Sequence, residues 1–194
     1  MARLTRLGLL AVVLAGCNLP VTPWARFVPA SVPYYKQTDF EARFNNWKSG
    51  KSAYTWTIQY RATALSEAAL VIRSEGASSF GPLLSGSTGT GGGSFTPPRT
   101  ELVKLVDDLL TTKVFDLYDG FYGAYDQGGG LIGPQLKVEI AGLVKQVSYD
   151  EDLSPSMSWE AASIQRATEA VKALGLRYVK AASASPSPAA STKP

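Results

Sequence analysis

The chain has 194 residues, enough for one domain of ordinary size with extensions, and 19 basic against 16 acidic residues give a net charge of +3. It contains no histidine and a single cysteine, which excludes a Ser-His-Asp triad, a Cys-His pair, imidazole ligation of zinc and an internal disulfide. Acid–base chemistry is left to carboxylates, Lys and Tyr, and no basic patch interleaved with aromatics suggests nucleic acid as a partner.

Arg3 and Arg6 open the chain, and an apolar run from Leu7 to Leu14 follows, interrupted by Gly8. Small residues, Ala15 and Gly16, then precede Cys17. The layout is that of a secretory signal, too short for a lasting membrane span. Leu14-Ala15-Gly16-Cys17 resembles the lipobox of bacterial lipoproteins at every position. The resemblance implies cleavage before Cys17, thioether linkage of its sulfur to diacylglycerol and acylation of the new amino group. Two or three acyl chains anchor firmly where one does so only marginally. Asn18, in place of the Asp that favours inner-membrane retention in that family, leans the expected address toward an outer membrane. Removal of residues 1–16 takes two Arg away and leaves 17 basic against 16 acidic residues.

Residues 17–37 carry Pro20, Pro23, Pro29 and Pro33 without helical or strand period and read as a lipidated cysteine followed by an extended tether. Trp24, Phe27, Tyr34 and Tyr35 add aromatics that could pack on the domain or meet lipid headgroups. One α+β domain is expected over residues 38–180. It begins with a helix over Asp39–Lys48, Asp39 capping its start and Phe40, Phe44 and Trp47 at helical spacing. Tyr54, Trp56, Ile58 and Tyr60 alternate with polar residues as a half-buried strand, and residues 68–74 supply a second. Residues 85–94 form a Gly/Ser loop. A second helix is expected with Thr96 as its cap, Pro97 in its first turn and a stripe of Leu102, Leu105, Val106, Leu109 and Leu110.

Phe115 and Leu117 lead into a loop with three tyrosines and five glycines over residues 116–130. Residues 135–140 and 143–149 read as a hairpin about Ala141-Gly142, setting Ile140 against Leu143 and Leu136 against Val147. The last helix is expected over residues 156–174, with Ile164, Ala167, Val171 and Leu174 inward and Gly175 ending it. Residues 181–194, of Ala, Ser, Pro and Thr with one Lys, read as a disordered tail. The order α-β-β-α-β-β-α implies a small antiparallel sheet of about four strands covered by two to three helices.

Motifs that carry chemistry are few. Ser49-Gly50-Lys51-Ser52 looks like the end of a P-loop, but Asn45 stands where its first glycine should, and a strand follows where a helix should. A turn is the expectation. The glycines at 89–93 lack a dinucleotide spacing, and no serine precedes a lysine by three positions. No cofactor, metal or catalytic residue is assigned. Asp116, Asp119 and Asp126 on a Gly-rich loop suit calcium in ligand type, yet their spacing fits no EF-hand. Asp150-Glu151-Asp152 suits a helix start without a metal. Tyrosines on loops give rigid amphipathic contact area, so Tyr118, Asp119, Tyr122, Tyr125 and Asp126 form the candidate binding surface, beside the plainer reading as a connecting loop.

Asn46-Trp47 with Tyr54-Thr-Trp-Thr-Ile-Gln-Tyr60 resembles the opening of small uncharacterised bacterial envelope domains. The run from Glu101 to Tyr125 with Val138-Glu-Ile140 and Lys145-Gln-Val147 is similar to a second such group. Neither brings an activity. The expected function is therefore a lipid-anchored envelope protein whose domain binds a protein or glycan. A carboxylate-dependent glycan hydrolase using two acids among Asp116, Asp119, Asp126 and Glu139 is the alternative, and a structural spacer is a third reading.

Overall fold

Alternation of apolar and polar side chains decides the centre of the sheet in the computed structural model, which describes residues 25–27, 35–63, 66–84, 91–123, 133–149 and 159–184. Strands β2 (Trp56–Arg61), β3 (Ala68–Arg73), β7 (Gln135–Ile140) and β8 (Leu143–Tyr149) pair as antiparallel neighbours in the order β8-β7-β2-β3. These are the four strands expected from the sequence. Their register sets Ile72, Ile58, Val138 and Lys145 in one row across the sheet, and Leu70, Tyr60, Leu136 and Val147 in the next. All eight are buried on the face that the helices cover.

Among the described residues, four shorter strands extend this centre to eight. β4 (Ser78–Phe80) and β5 (Gly93–Phe95) continue from β3, while β6 (Gly120–Gly123) and β1 (Ala25–Phe27) continue from β8. The β6–β8 pair is parallel and every other pair antiparallel. Strands of three or four residues complete too few alternations to stand out as a period of two. The expectation of about four strands was short for that reason. Within the expected tether, residues 25–27 pair with β6, and Tyr35 packs edge-on against Phe40 at 6.4 Å, one of the two alternatives open for its aromatics.

Helix α1 (Gln37–Lys48) starts two residues before the expected boundary. Asp39 does cap it, but from inside: its carboxylate accepts the Lys36 N–H at 2.9 Å. Phe40, Phe44 and Trp47 line one face and are buried. Phe40 stacks on Phe115 at 4.4 Å, and Trp47 meets Trp56 edge-on at 5.2 Å. Ser49–Ser52 is a turn that ends this helix: Gly50 N donates to Trp47 O, and Lys51 N to Asn46 O. Helix α2 (Arg99–Thr111) begins after both prolines, with Pro98 rather than Thr96 at the cap. Pro98 holds Pro97 in extended geometry, so the helix cannot start before it. Its stripe of Leu102, Leu105, Val106 and Leu109 is buried, as expected, and Leu110 is half-buried.

Helix α3 (Trp159–Ala184) differs most from the sequence reading. It passes through Gly175 and takes in residues 181–184 of the expected tail; residues 156–158 and 185–194 lie outside the described residues. Gly175 is a packing residue, not a terminator. A Cβ there would lie 2.7 Å from Leu70 Cδ2 and 2.9 Å from Leu84 Cδ2. Ile164, Ala167, Val171 and Leu174 are buried as expected, and Tyr178 stacks on Phe95 at 4.4 Å. The three helices lie on one face of the sheet. The other face presents Thr57, Gln59, Lys137, Glu139 and Gln146.

The β7–β8 turn has positive φ at both central residues, 46° at Ala141 and 83° at Gly142, as a two-residue type I′ turn requires. Glycine is at ease there and alanine is not. Ala141→Asn is expected to stabilise the domain by about 0.5–1 kcal/mol, read as a Tm higher by roughly 2 °C. An unchanged or lower Tm would count against that turn geometry.

Candidate functional site

The buried row that ends on Lys145 holds the most distinctive chemistry of the domain. β8 places Leu143, Lys145, Val147 and Tyr149 on one face. Three are apolar or aromatic, and Lys145 points the same way into the core with 2% of its side chain exposed. On its far side β6 begins only at Gly120, so the chain beside Lys145 is not yet a strand. Two side chains do the work of the missing ladder. Lys145 Nζ donates to the Leu117 carbonyl at 2.5 Å, and Asp119 Oδ1 accepts the Gln146 N–H at 2.8 Å. Both backbone groups are thereby satisfied, as buried backbone polar groups must be.

The same Asp119 oxygen lies 3.6 Å from Lys145 Nζ, and Asp119 has 9% of its side chain exposed. The Phe40 ring is 5.9 Å from the ammonium. Burial pushes the Lys145 ammonium below its ordinary 10.5, against the pull of Asp119 and Asp116. Asp116 itself is exposed and accepts the Gln37 N–H at 3.3 Å, tying the short 3-10 turn Val114–Asp116 to the start of α1. Lys145, Asp119 and Asp116 thus fasten β8, the approach to β6 and α1 at one corner. Burial and tight internal partnering make this a structural clasp.

The tyrosines surround the clasp from outside. Tyr118 is 39% exposed, and the Tyr122 hydroxyl donates to the Tyr118 carbonyl at 2.9 Å. The structure therefore brings together three of the five residues expected to form the binding surface. It places them unequally: Tyr118 outward, Tyr122 half-buried, Asp119 inward. Tyr125 and Asp126 lie outside the described residues. Of the carboxylates of the hydrolase reading, Asp116 and Asp119 both lie near Lys145, Glu139 lies apart from them, and Asp126 is outside the described residues. Glu139 stands out of phase with buried Val138 and Ile140, on the helix-free face, and pairs with Lys137 at 2.6 Å. Asp119 faces Lys145 on the helix side. Among the described residues, no three acidic side chains come together in a way that could hold a metal ion.

No family model, curated protein or solved structure matches this chain. The resemblances noted in the sequence accordingly rest on their own residues.

Lys145 was not among the expected site residues. The signal was there: it keeps the phase of Leu143, Val147 and Tyr149, so a strand that buries those three must bury the lysine too. A shallow hollow of about 300 Å³ lies at the turn of the hairpin, bounded by Thr55, Thr57, Glu139, Ala141 and Val144. It gathers one carboxylate and no second acid–base group.

Proposed function

We propose that this protein is a lipid-anchored lipoprotein of the bacterial envelope whose α+β domain is a non-enzymatic binding module. The observation that carries it is Leu14-Ala15-Gly16-Cys17 directly after a basic and then apolar run, with Cys17 the sole cysteine of the chain. A thiol is needed at that position because its thiolate attacks the lipid donor. An outer-membrane address, following Asn18, is part of the proposal. No helix among the described residues is long and apolar enough to cross a membrane, so acyl chains on Cys17 are the attachment this reading relies on.

Support for a binding role comes from where polar groups are engaged. Asp119 and Lys145 are enclosed and hold backbone, while Tyr118 faces out from a segment they immobilise. An aromatic held on a rigid support is a low-entropy contact for a protein or glycan partner.

Cys17→Ser is expected to move the protein from the membrane pellet to the soluble fraction, and metabolic labelling with palmitate should be lost with it. Continued pelleting of the variant after a high-salt wash would refute the anchor. For the binding role, crosslinking in native envelopes should enrich a partner with the wild type and lose most of that enrichment with Tyr118→Ala. Full retention would remove Tyr118 from the site.

A further inference from the structure

The pairing of β1 with β6 changes what a lipid on Cys17 would do to the domain. This inference rests on the lipid-anchor reading above. Treated as tether, residues 17–37 would span up to about 70 Å and leave the domain free to present any side to the bilayer. Ala25, however, is already part of the sheet, opposite Gly123. Seven residues, 18–24, then separate the lipidated cysteine from the fold, and the eight Cα steps reach at most about 28 Å. The sheet itself is wider than that. Eight strands set about 4.8 Å apart put β5 roughly 34 Å from β1.

We infer that β1 works as a bracket: it stands the sheet on the membrane by its β1–β6 edge and holds β5 away from the lipid. The occupant of that edge is the phospholipid surface itself. Ala25 also lies at a particular end of the strands. It is beside Gly123, and Tyr122 of the same strand is level with Tyr149 at the end of β8. The Ala141-Gly142 turn, at the start of β8, lies at the opposite end and points away from the membrane. The hollow next to that turn is then accessible to partners in solution.

A second observation concerns the same edge: two of three exposed large hydrophobics lie beside it, while Leu83 lies between β4 and β5. Among the described residues the large hydrophobic side chains left exposed are Leu83, Tyr118 and Trp159. Tyr118 leads into β6 on that edge, level with Lys145 and so nearer the Ala141-Gly142 end than Ala25 is. Trp159 opens α3, whose later residues Gly175 and Tyr178 lie over Leu70 and Phe95 toward β5, while the helix also packs on β8. Its first turn is therefore on the β8–β6 side. Tyr and Trp are the side chains that settle at the headgroup level of a bilayer.

Energy transfer from a labelled thiol to a headgroup-labelled lipid tests this in the full lipidated chain. Lipidation consumes the sulfur of Cys17, so an introduced cysteine is the sole free thiol. Tyr118→Cys and Ser94→Cys mark the two sides; both residues are exposed. In phosphatidylethanolamine/phosphatidylglycerol vesicles, transfer from position 118 should exceed that from position 94 by a factor of about two or more, given the width of the sheet. Adding Ala25→Pro and Arg26→Pro, which removes donors from β1 whichever residue faces β6, should bring the two values together. Equal transfer without the prolines, or a difference that survives them, overturns the bracket while the anchor stands. Failure of the labelled protein to float with vesicles, with circular dichroism showing it folded, overturns the anchor reading and the bracket with it.

Discussion

Asp119→Ala is expected to destabilise the domain by about 3–5 kcal/mol, the range found when one partner of a buried ion pair is removed. Two losses combine. The Lys145 ammonium, 2% exposed, would face a void in place of a carboxylate, and the Gln146 N–H would lose its acceptor. Lys145→Met should be milder, about 1–3 kcal/mol, because the methionine fills most of the same volume and Asp119 keeps its bond to Gln146. The Leu117 carbonyl then loses its donor. The double variant should cost clearly less than the sum of the two, since each single change strands the other's partner. Urea unfolding of the three variants at neutral pH reads all of this. An Asp119→Ala cost below about 1 kcal/mol would mean that the pair is solvated.

The pair also has a pH signature. Burial holds Lys145 below 10.5 in the native state, so between that lowered value and 10.5 the unfolded chain binds more protons than the folded one. Unfolding free energy therefore gains from this residue as pH rises through that window. The gain is lost as pH falls through the native value, below which the buried cation carries its full desolvation penalty. Lys145→Met should lack this component, and a wild-type profile parallel to that of Lys145→Met across the alkaline range would contradict it.

Gly175→Leu is expected to be the second large effect, a loss of about 3 kcal/mol or more. Helix propensity alone argues the other way, since Leu outranks Gly in a helix interior by nearly 1 kcal/mol. The tertiary contact reverses the sign. Even a single Cβ would come within 3.0 Å of Leu70 and Leu84, and both are buried. Overpacking a filled core costs about 1–3 kcal/mol, and leucine adds three more carbons. Gly175→Ala should be nearly balanced, with propensity offsetting most of a small clash. Pairing Gly175→Leu with Leu70→Ala should recover part of the loss, because the two changes share one space. A Tm for Gly175→Leu equal to that of the wild type would show that α3 can rise off β3 without penalty.

The candidate site was legible in sequence only in outline. Tyr118, Asp119 and Tyr122 belong to one local segment, and their composition marked it. Their roles did not follow from composition. Asp119 is turned inward by a lysine that lies 26 positions later. Lys145 itself could be recognised only by trusting strand phase over the preference of lysine for water. The helix ends show the same limit at smaller scale. Gly175 has the residue type that usually closes a helix, yet it lies inside one, where Leu70 and Leu84 come too close for a large side chain.

What the sequence determined by itself was the local and periodic part of the protein. The helical spacing of Phe40, Phe44 and Trp47, the stripe on α2, the alternation in β2 and the register of the β7–β8 hairpin all arise from neighbours a few positions apart. The leader-like run ending on Cys17 is equally local. Tertiary structure alone decided the outer strands, the single parallel pair, the docking of residues 25–27 and the burial of Lys145 with Asp119. Those depend on groups brought together from 25, 70, 117–123 and 145–175. A three-residue strand or an inward lysine is unfavourable on its own and persists only where a distant partner supplies the missing hydrogen bonds.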